Sequence, residues 1–109
     1  MNKADVIKQI IETGVIPVVR ATSADEAMRA IDAIREGGVS VLEITMTVPG
    51  AVGVIEQLSK KYGNDVLVGA GTVLDPETAR ACMLSGAQFV VSPALNAADD
   101  SVGSCMSTP

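Results

Sequence analysis

At 109 residues the chain is long enough for one compact domain and too short for most two-domain arrangements. A net charge of -5, with no histidine and only eight lysines plus arginines, argues against nucleic acid or anionic membranes as partners, because both require clustered cations. Hydrophobic residues make up 48% of the chain, so it is expected to fold, yet Tyr62 and Phe89 are its aromatic residues and the core must be aliphatic.

Val6, Ile7, Ile10 and Ile11 form an apolar stripe at helical spacing, predicting a first helix that starts near Asn2 and ends at Gly14. Ile16 to Arg20 reads as the first strand. Ser23, followed three residues later by Glu26, resembles a capping box that opens a second helix, with Ala27, Ala30, Ile31 and Ile34 on its buried face and Gly37-Gly38 at its end. Residues 39 to 47, Val-Ser-Val-Leu-Glu-Ile-Thr-Met-Thr, read as a parallel strand with one acid, Glu43, in the middle. A strand covered on both faces should be almost continuously apolar, since an unpaired buried carboxylate costs several kcal/mol. Period-two alternation puts Val41, Glu43 and Thr45 on one face and Leu42, Ile44 and Met46 on the other.

Pro49 is expected in the first turn of a third helix, which buries Val54, Ile55 and Leu58 and ends at Lys60 and Lys61 in a solvated terminus. Val66 to Val73 is the third strand, Asp75-Pro76 caps the next helix, Gly86 closes it, and Phe89 to Ser92 is the fourth strand. Strands therefore begin near Ile16, Val39, Val66 and Phe89, the spacing of repeated βα units. The expected fold class is α/β: a curved, open sheet over residues 1–96 with four parallel strands joined by right-handed crossover helices, half the number of strands in a closed barrel. Residues 97–109 show no sustained apolar period and are expected to be an irregular tail, from truncation, a changed reading frame or an engineered join.

Polar features fall at four successive strand ends: Arg20, Glu43 with Thr45 and Thr47, Thr72 in Gly69-Ala70-Gly71-Thr72, and Ser92-Pro93. Barrel enzymes assemble their sites from such ends. Glu43 reads as a proton-transfer base, because a desolvated carboxylate has its pKa raised toward the useful range. The alternative is a structural ion pair with Arg20, which could instead grip a carboxylate or phosphate. Gly69 and Gly71 allow close approach of a ligand to the backbone or an unusual turn, without the spacing of a dinucleotide fingerprint, and no Walker-type loop is present. Thr72 is either a ligand donor or a satisfied strand-end hydroxyl, and Pro93 either shapes the rim or stops the strand. Cys82 and Cys105 have no metal-ligand spacing, so no metal is expected and Cys82 reads as a small buried apolar residue. The N-terminus lacks the apolar core of a secretion signal, no apolar run approaches a spanning helix, and a cytoplasmic location is expected.

Ile16-Pro17-Val18-Val19-Arg20, Val41 through Pro49, Val68-Gly69-Ala70-Gly71-Thr72-Val73-Leu74 and Phe89-Val90-Val91-Ser92-Pro93 together resemble the 2-keto-3-deoxy-6-phosphogluconate / 4-hydroxy-2-oxoglutarate aldolase family over residues 5 to 96. The resemblance implies a (β/α)8 TIM barrel of about twice this length, of which residues 1–96 are the N-terminal half, assembled as a trimer, that cleaves a 2-keto acid aldol to pyruvate and an aldehyde without metal or cofactor. It implies a lysine Schiff base as electron sink and matches Glu43 to the family's proton-shuttling glutamate. It also implies that Arg20 and Thr72 hold the pyruvate carboxylate and that Pro93 lines the site, whereas many relatives carry Arg where Thr47 stands. The family's Schiff-base lysine lies on a sixth strand, while Lys3, Lys8, Lys60 and Lys61 all fall on predicted helices, so the isolated chain is expected to be inactive. Two other functions fit the pattern: a half-barrel association module, and another phosphate-handling barrel such as a sugar-phosphate epimerase.

Overall fold

The computed structural model describes residues 2–93 and 105–107. In chain order the elements are α1 (Lys3–Thr13), β1 (Val18–Val19), α2 (Ala24–Glu36), β2 (Val41–Thr45), α3 (Ala51–Tyr62), a 3-10 turn (Gly63–Asp65), β3 (Leu67–Gly71), α4 (Pro76–Ser85), β4 (Phe89–Ser92) and β5 (Cys105–Ser107). The strands form one sheet in sequential order, and every pairing is parallel.

The four helices start and stop for identifiable local reasons. At α1 the Asp5 N–H donates to Asn2 Oδ1 (2.9 Å) and the Asn2 N–H donates to Asp5 Oδ2 (3.2 Å), a complete capping box. At α2 only half of the expected box forms. The Glu26 N–H donates to Ser23 Oγ (3.1 Å), but the Glu26 carboxylate turns to the N–H and hydroxyl of Thr22 instead of the Ser23 backbone. The start of α3 differs from expectation too: Pro49 lies outside the helix, and Gly50, at φ 69°, is its N-cap. The left-handed turn at Gly50 is what re-aims the chain, so proline's fixed φ is used one step before the helix. Asp75 caps α4 as expected, accepting from the Thr78 N–H at 2.7 Å, with Pro76 in the first turn.

Two separate apolar clusters show how the sheet is covered. On one face Leu42, Ile44, Val68, Ala70 and Val90 pack under Ala27 and Ile31 of α2, Val54, Ile55 and Leu58 of α3, and Ala79 and Cys82 of α4. On the other face Val41, Leu67 and Phe89, the first residues of three strands, pack with Val6 and Ile10 of α1. Helix α1 therefore closes the amino end of the inner face and leaves the carboxyl end as the mouth. Lys61 has a larger role than a solvated terminus: its Nζ donates to Asp32 Oδ1 at 2.9 Å, and the Tyr62 hydroxyl donates to the same oxygen, tying α3 to α2.

The fifth strand departs from the irregular tail expected over residues 97–109. Cys105, Met106 and Ser107 pair with Val90, Val91 and Ser92, and the rest of that segment lies outside the described residues. A strand held by main-chain pairing on an open sheet edge needs no side-chain period, which is why the sequence pattern did not reveal it.

Candidate active site at the carboxyl ends of the strands

Glu43 occupies the position that makes this end of the sheet chemically unusual. It is 9% exposed, in a strand whose five residues are all buried. Its backbone is in register with Gly69, yet its carboxylate lies against Gly71, one pleat nearer the mouth. Beneath it, the Phe89 ring of β4 fills the space left by Gly69. Alternate glycines on β3 thus accommodate a ring from one neighbouring strand and a carboxylate from the other. The sequence suggested close approach of a ligand or an unusual turn at these glycines; instead the protein's own side chains fill the space. Their alternation on the face shared with Glu43 was the legible signal.

Burial raises the Glu43 carboxyl pKa above the ordinary glutamate value, and the positive charge of Arg20 opposes the shift. Arg20 follows directly on β1 and is exposed. Among the described residues the ion pairs are Lys8–Glu12, Lys60–Glu56 and Lys61–Asp32, so Arg20 acts on Glu43 through space without a direct salt bridge. Glu43 thus keeps its proton to a higher pH than an exposed glutamate, and no salt bridge among the described residues holds its carboxylate.

The other predicted residues fall around the same mouth. Thr45, 1% exposed, shares a hydrogen bond with the exposed Thr47 at 2.5 Å between their hydroxyl oxygens. Thr72 is half-buried at the end of β3 and adopts φ 57°. A β-branched residue in that region costs about 1–3 kcal/mol, a strain that surrounding structure must hold in place. The turn is fixed by the Met46 N–H donating to the Gly71 carbonyl (2.9 Å) and the Val73 N–H to the Val91 carbonyl (3.2 Å). Ser92 is buried at the end of β4, and Pro93 follows it on the exposed rim.

Lys3 and Lys8 lie on α1, and Lys60 and Lys61 on α3, so none stands at a strand's carboxyl end. A cavity of about 480 Å³ lined by Asp5, Lys8, Gln9, Glu12, Thr13 and Ser40 sits at the opposite, amino end of β2 and is separate from Glu43. Among the described residues no group of three or more His, Cys, Asp or Glu could hold a metal, and no helix is long and apolar enough to cross a membrane. Cys82 is fully buried, and burial, helped by the negative charge of Asp75, pushes its thiol up to about 11. Its Sγ lies 3.6 Å from Met46 Sδ, as suits the small apolar packing residue expected from the sequence.

A parallel α/β sheet with helices on its outer face and a buried acid toward the carboxyl ends of its strands defines a barrel-type enzyme scaffold. The family model for KDPG and KHG aldolase matches residues 6–107, a span that includes β5, and the chain belongs to that family. KHG/KDPG aldolase of Escherichia coli K12 is 38% identical over 89 residues, covering 81% of this chain and 41% of that protein. The 2-dehydro-3-deoxy-phosphogluconate aldolase of Haemophilus influenzae is 36% identical over 91 residues, covering 84% of this chain and 42% of the relative. The chain thus spans about two fifths of the length of these curated relatives.

The solved 2-keto-3-deoxy-6-phosphogluconate aldolase of Zymomonas mobilis ZM4, determined with 3-phosphoglycerate, superposes with a TM-score of 0.81 at 28% identity, covering 96% of this chain and 52% of that one. KDPG aldolase from Legionella pneumophila, with pyruvate captured as a covalent carbinolamine intermediate, gives 0.74 at 31% identity, covering 84% and 47%. These matches set aside the sugar-phosphate epimerase reading.

Proposed function

We propose that this chain supplies the proton-transfer and keto-acid-binding part of a class I aldolase that cleaves 2-keto-3-deoxy-6-phosphogluconate or 4-hydroxy-2-oxoglutarate to pyruvate and an aldehyde. The observation that carries this reading is Glu43: a carboxylate buried against Gly71 toward the carboxyl ends of the strands, its pKa raised by burial, with no salt bridge to it among the described residues. Such an acid holds its proton to a higher pH than an exposed glutamate, which suits it to accept and return a proton. In the proposed cycle a lysine amine adds to the substrate's keto carbon, and loss of water from the carbinolamine leaves a protonated imine. Glu43 takes the proton from the C4 hydroxyl, the C3–C4 electron pair moves toward the imine nitrogen, and the aldehyde departs. The resulting enamine takes a proton back at C3, and hydrolysis frees pyruvate and the amine.

Arg20 and Thr72 are assigned to the substrate carboxylate, Thr45 and Thr47 to polar contacts at the mouth, and Pro93 to its wall. Lys3 and Lys8 lie on α1 and Lys60 and Lys61 on α3, so the amine is assigned to none of the four lysines in residues 1–109. A trimeric, cytoplasmic enzyme acting on a small 2-keto acid, without metal or cofactor, completes the proposal.

The test mixes the purified chain with the remaining barrel portion of an aldolase relative, adds pyruvate and traps with borohydride. Pyruvate should attach to a lysine of the supplied portion, and Glu43→Gln should slow aldol cleavage about 10²–10⁴-fold, the usual weight of general acid-base catalysis. Trapping on Lys3, Lys8, Lys60 or Lys61, or full turnover by Glu43→Gln, refutes the assignment.

A second reading, association through open sheet edges, is favoured by Val18, which is 47% exposed on the Glu43 side of the sheet. Light scattering that finds a monodisperse monomer at high concentration eliminates it.

A further inference from the structure

We propose that Gly71 is a positioning residue: the missing side chain at the end of β3 is the seat of the Glu43 carboxylate, and residue 71 sets where the acid points. A Cβ built at this position would lie 1.7 Å from Glu43 Oε1, 2.5 Å from its Cδ and 2.9 Å from its Cγ. Real Cβ atoms essentially never come within 3.0 Å of another heavy atom. Any residue with a side chain therefore has to displace the acid or the strand.

The backbone gives an independent reason to read this glycine as space and not as flexibility. Positive φ occurs at Gly14, Gly38, Gly50, Gly63 and Gly86, but not at Gly71. The left-handed conformation that favours glycine falls instead on the next residue, Thr72, at φ 57°. Glycine thus stands where the backbone does not require it, and a β-branched residue stands where the backbone would favour glycine. Steric room for the carboxylate accounts for the first of these.

The groups around the acid define what the seat does. Arg20, after β1, is the charged group that acts on Glu43; Thr45 lies one pleat further along β2, β3 contributes Gly69 and Gly71, and β4 contributes the Phe89 ring packed into the Gly69 space. Seated against Gly71, the carboxylate stays buried. A methyl at 71 turns it outward into water. The displaced atoms are the free end of a flexible side chain, so the fold can accommodate Gly71→Ala while the acid cannot stay in place.

The catalytic consequence rests on the function proposed above, whereas the positioning is read without turnover. Carboxyl-labelled NMR, with the Glu43 signal assigned by its loss in Glu43→Gln, follows the titration of Glu43 in the parent and in Gly71→Ala. The Glu43 midpoint is expected to drop toward 4.5 in the variant, the ordinary glutamate value. A folded Gly71→Ala protein with an unchanged Glu43 midpoint overturns the inference. If Gly71→Ala does not fold, the Glu43→Ala/Gly71→Ala double variant decides. Recovery of folding shows that the clash was with Glu43, and continued failure overturns the inference. A shifted midpoint alongside full turnover by Glu43→Gln leaves the positioning intact and refutes the catalytic role alone.

Discussion

Gly69→Ala is expected to destabilise the fold through a single steric conflict. The added Cβ would lie 2.1, 2.2 and 2.5 Å from three atoms of the Phe89 ring, where carbon atoms in contact prefer about 3.5–4.0 Å. The ring must retreat by more than an ångström. It is 1% exposed and packed with Val6, Val41 and Leu67, so its only escape is to disturb α1 or the neighbouring strands. Overpacking of this kind costs about 1–3 kcal/mol. Because the backbone at 69 is not left-handed, alanine also recovers about 0.5–1 kcal/mol of the conformational entropy that glycine loses on folding. With three atoms of a buried ring overlapped, the cost falls in the upper part of that range, about 2–3 kcal/mol, so the net loss is about 1–2.5 kcal/mol, which for a domain of this size lowers Tm by roughly 4–20 °C. Thermal unfolding followed by circular dichroism measures it. Phe89→Leu should relieve the clash, so the double variant should lose about 0.5–3 kcal/mol less than the two single losses added together. An unchanged or higher Tm for Gly69→Ala, or strict additivity with Phe89→Leu, refutes the account of β3 as a fitted bed for its neighbours' side chains.

Glu43 should also leave a signature in stability against pH. Its folded pKa is raised, so between the ordinary glutamate value and that higher value the folded chain holds more protons than the unfolded one, and stability falls as pH rises. Each unit of elevation costs about 1.4 kcal/mol at neutral pH. Glu43→Gln removes this contribution. Urea midpoints for parent and variant should converge below pH 4 and separate toward pH 7 with the variant more stable, and a flat or inverted difference contradicts the burial argument. Cys82, with a thiol near 11, should hold only about one part in a thousand as thiolate at pH 8 and resist iodoacetamide until the protein unfolds. Peptide mass spectrometry reads this site separately from Cys105, and rapid native labelling of Cys82 counts against its burial.

The repeat of strand and amphipathic helix, the polarity of the two faces of β2 and the placement of Arg20, Glu43, Thr72 and Pro93 at strand ends were all legible in the sequence. These depend on local periods of two and about 3.6 residues, which a linear pattern records directly. The start of α3 was read about two residues too early, because a proline signal marks a helix start only to within a residue or two, and Gly50 took the cap. Half of the Ser23 capping box failed because Glu26 found nearer donors on Thr22.

The amino-acid sequence by itself determined that an acid lies in a buried strand and that two glycines share its face. Only the tertiary structure decided what those glycines are for. Steric fit joins residues far apart in the chain, Phe89 to Gly69 and Glu43 to Gly71, and such fit exists only once parallel strands have set their register. The same holds for the absence of an Arg20–Glu43 salt bridge, which depends on how far apart two adjacent strand ends place their side chains. Periodicity assigns a residue to a face; packing decides which groups meet there and therefore how the acid at position 43 is held.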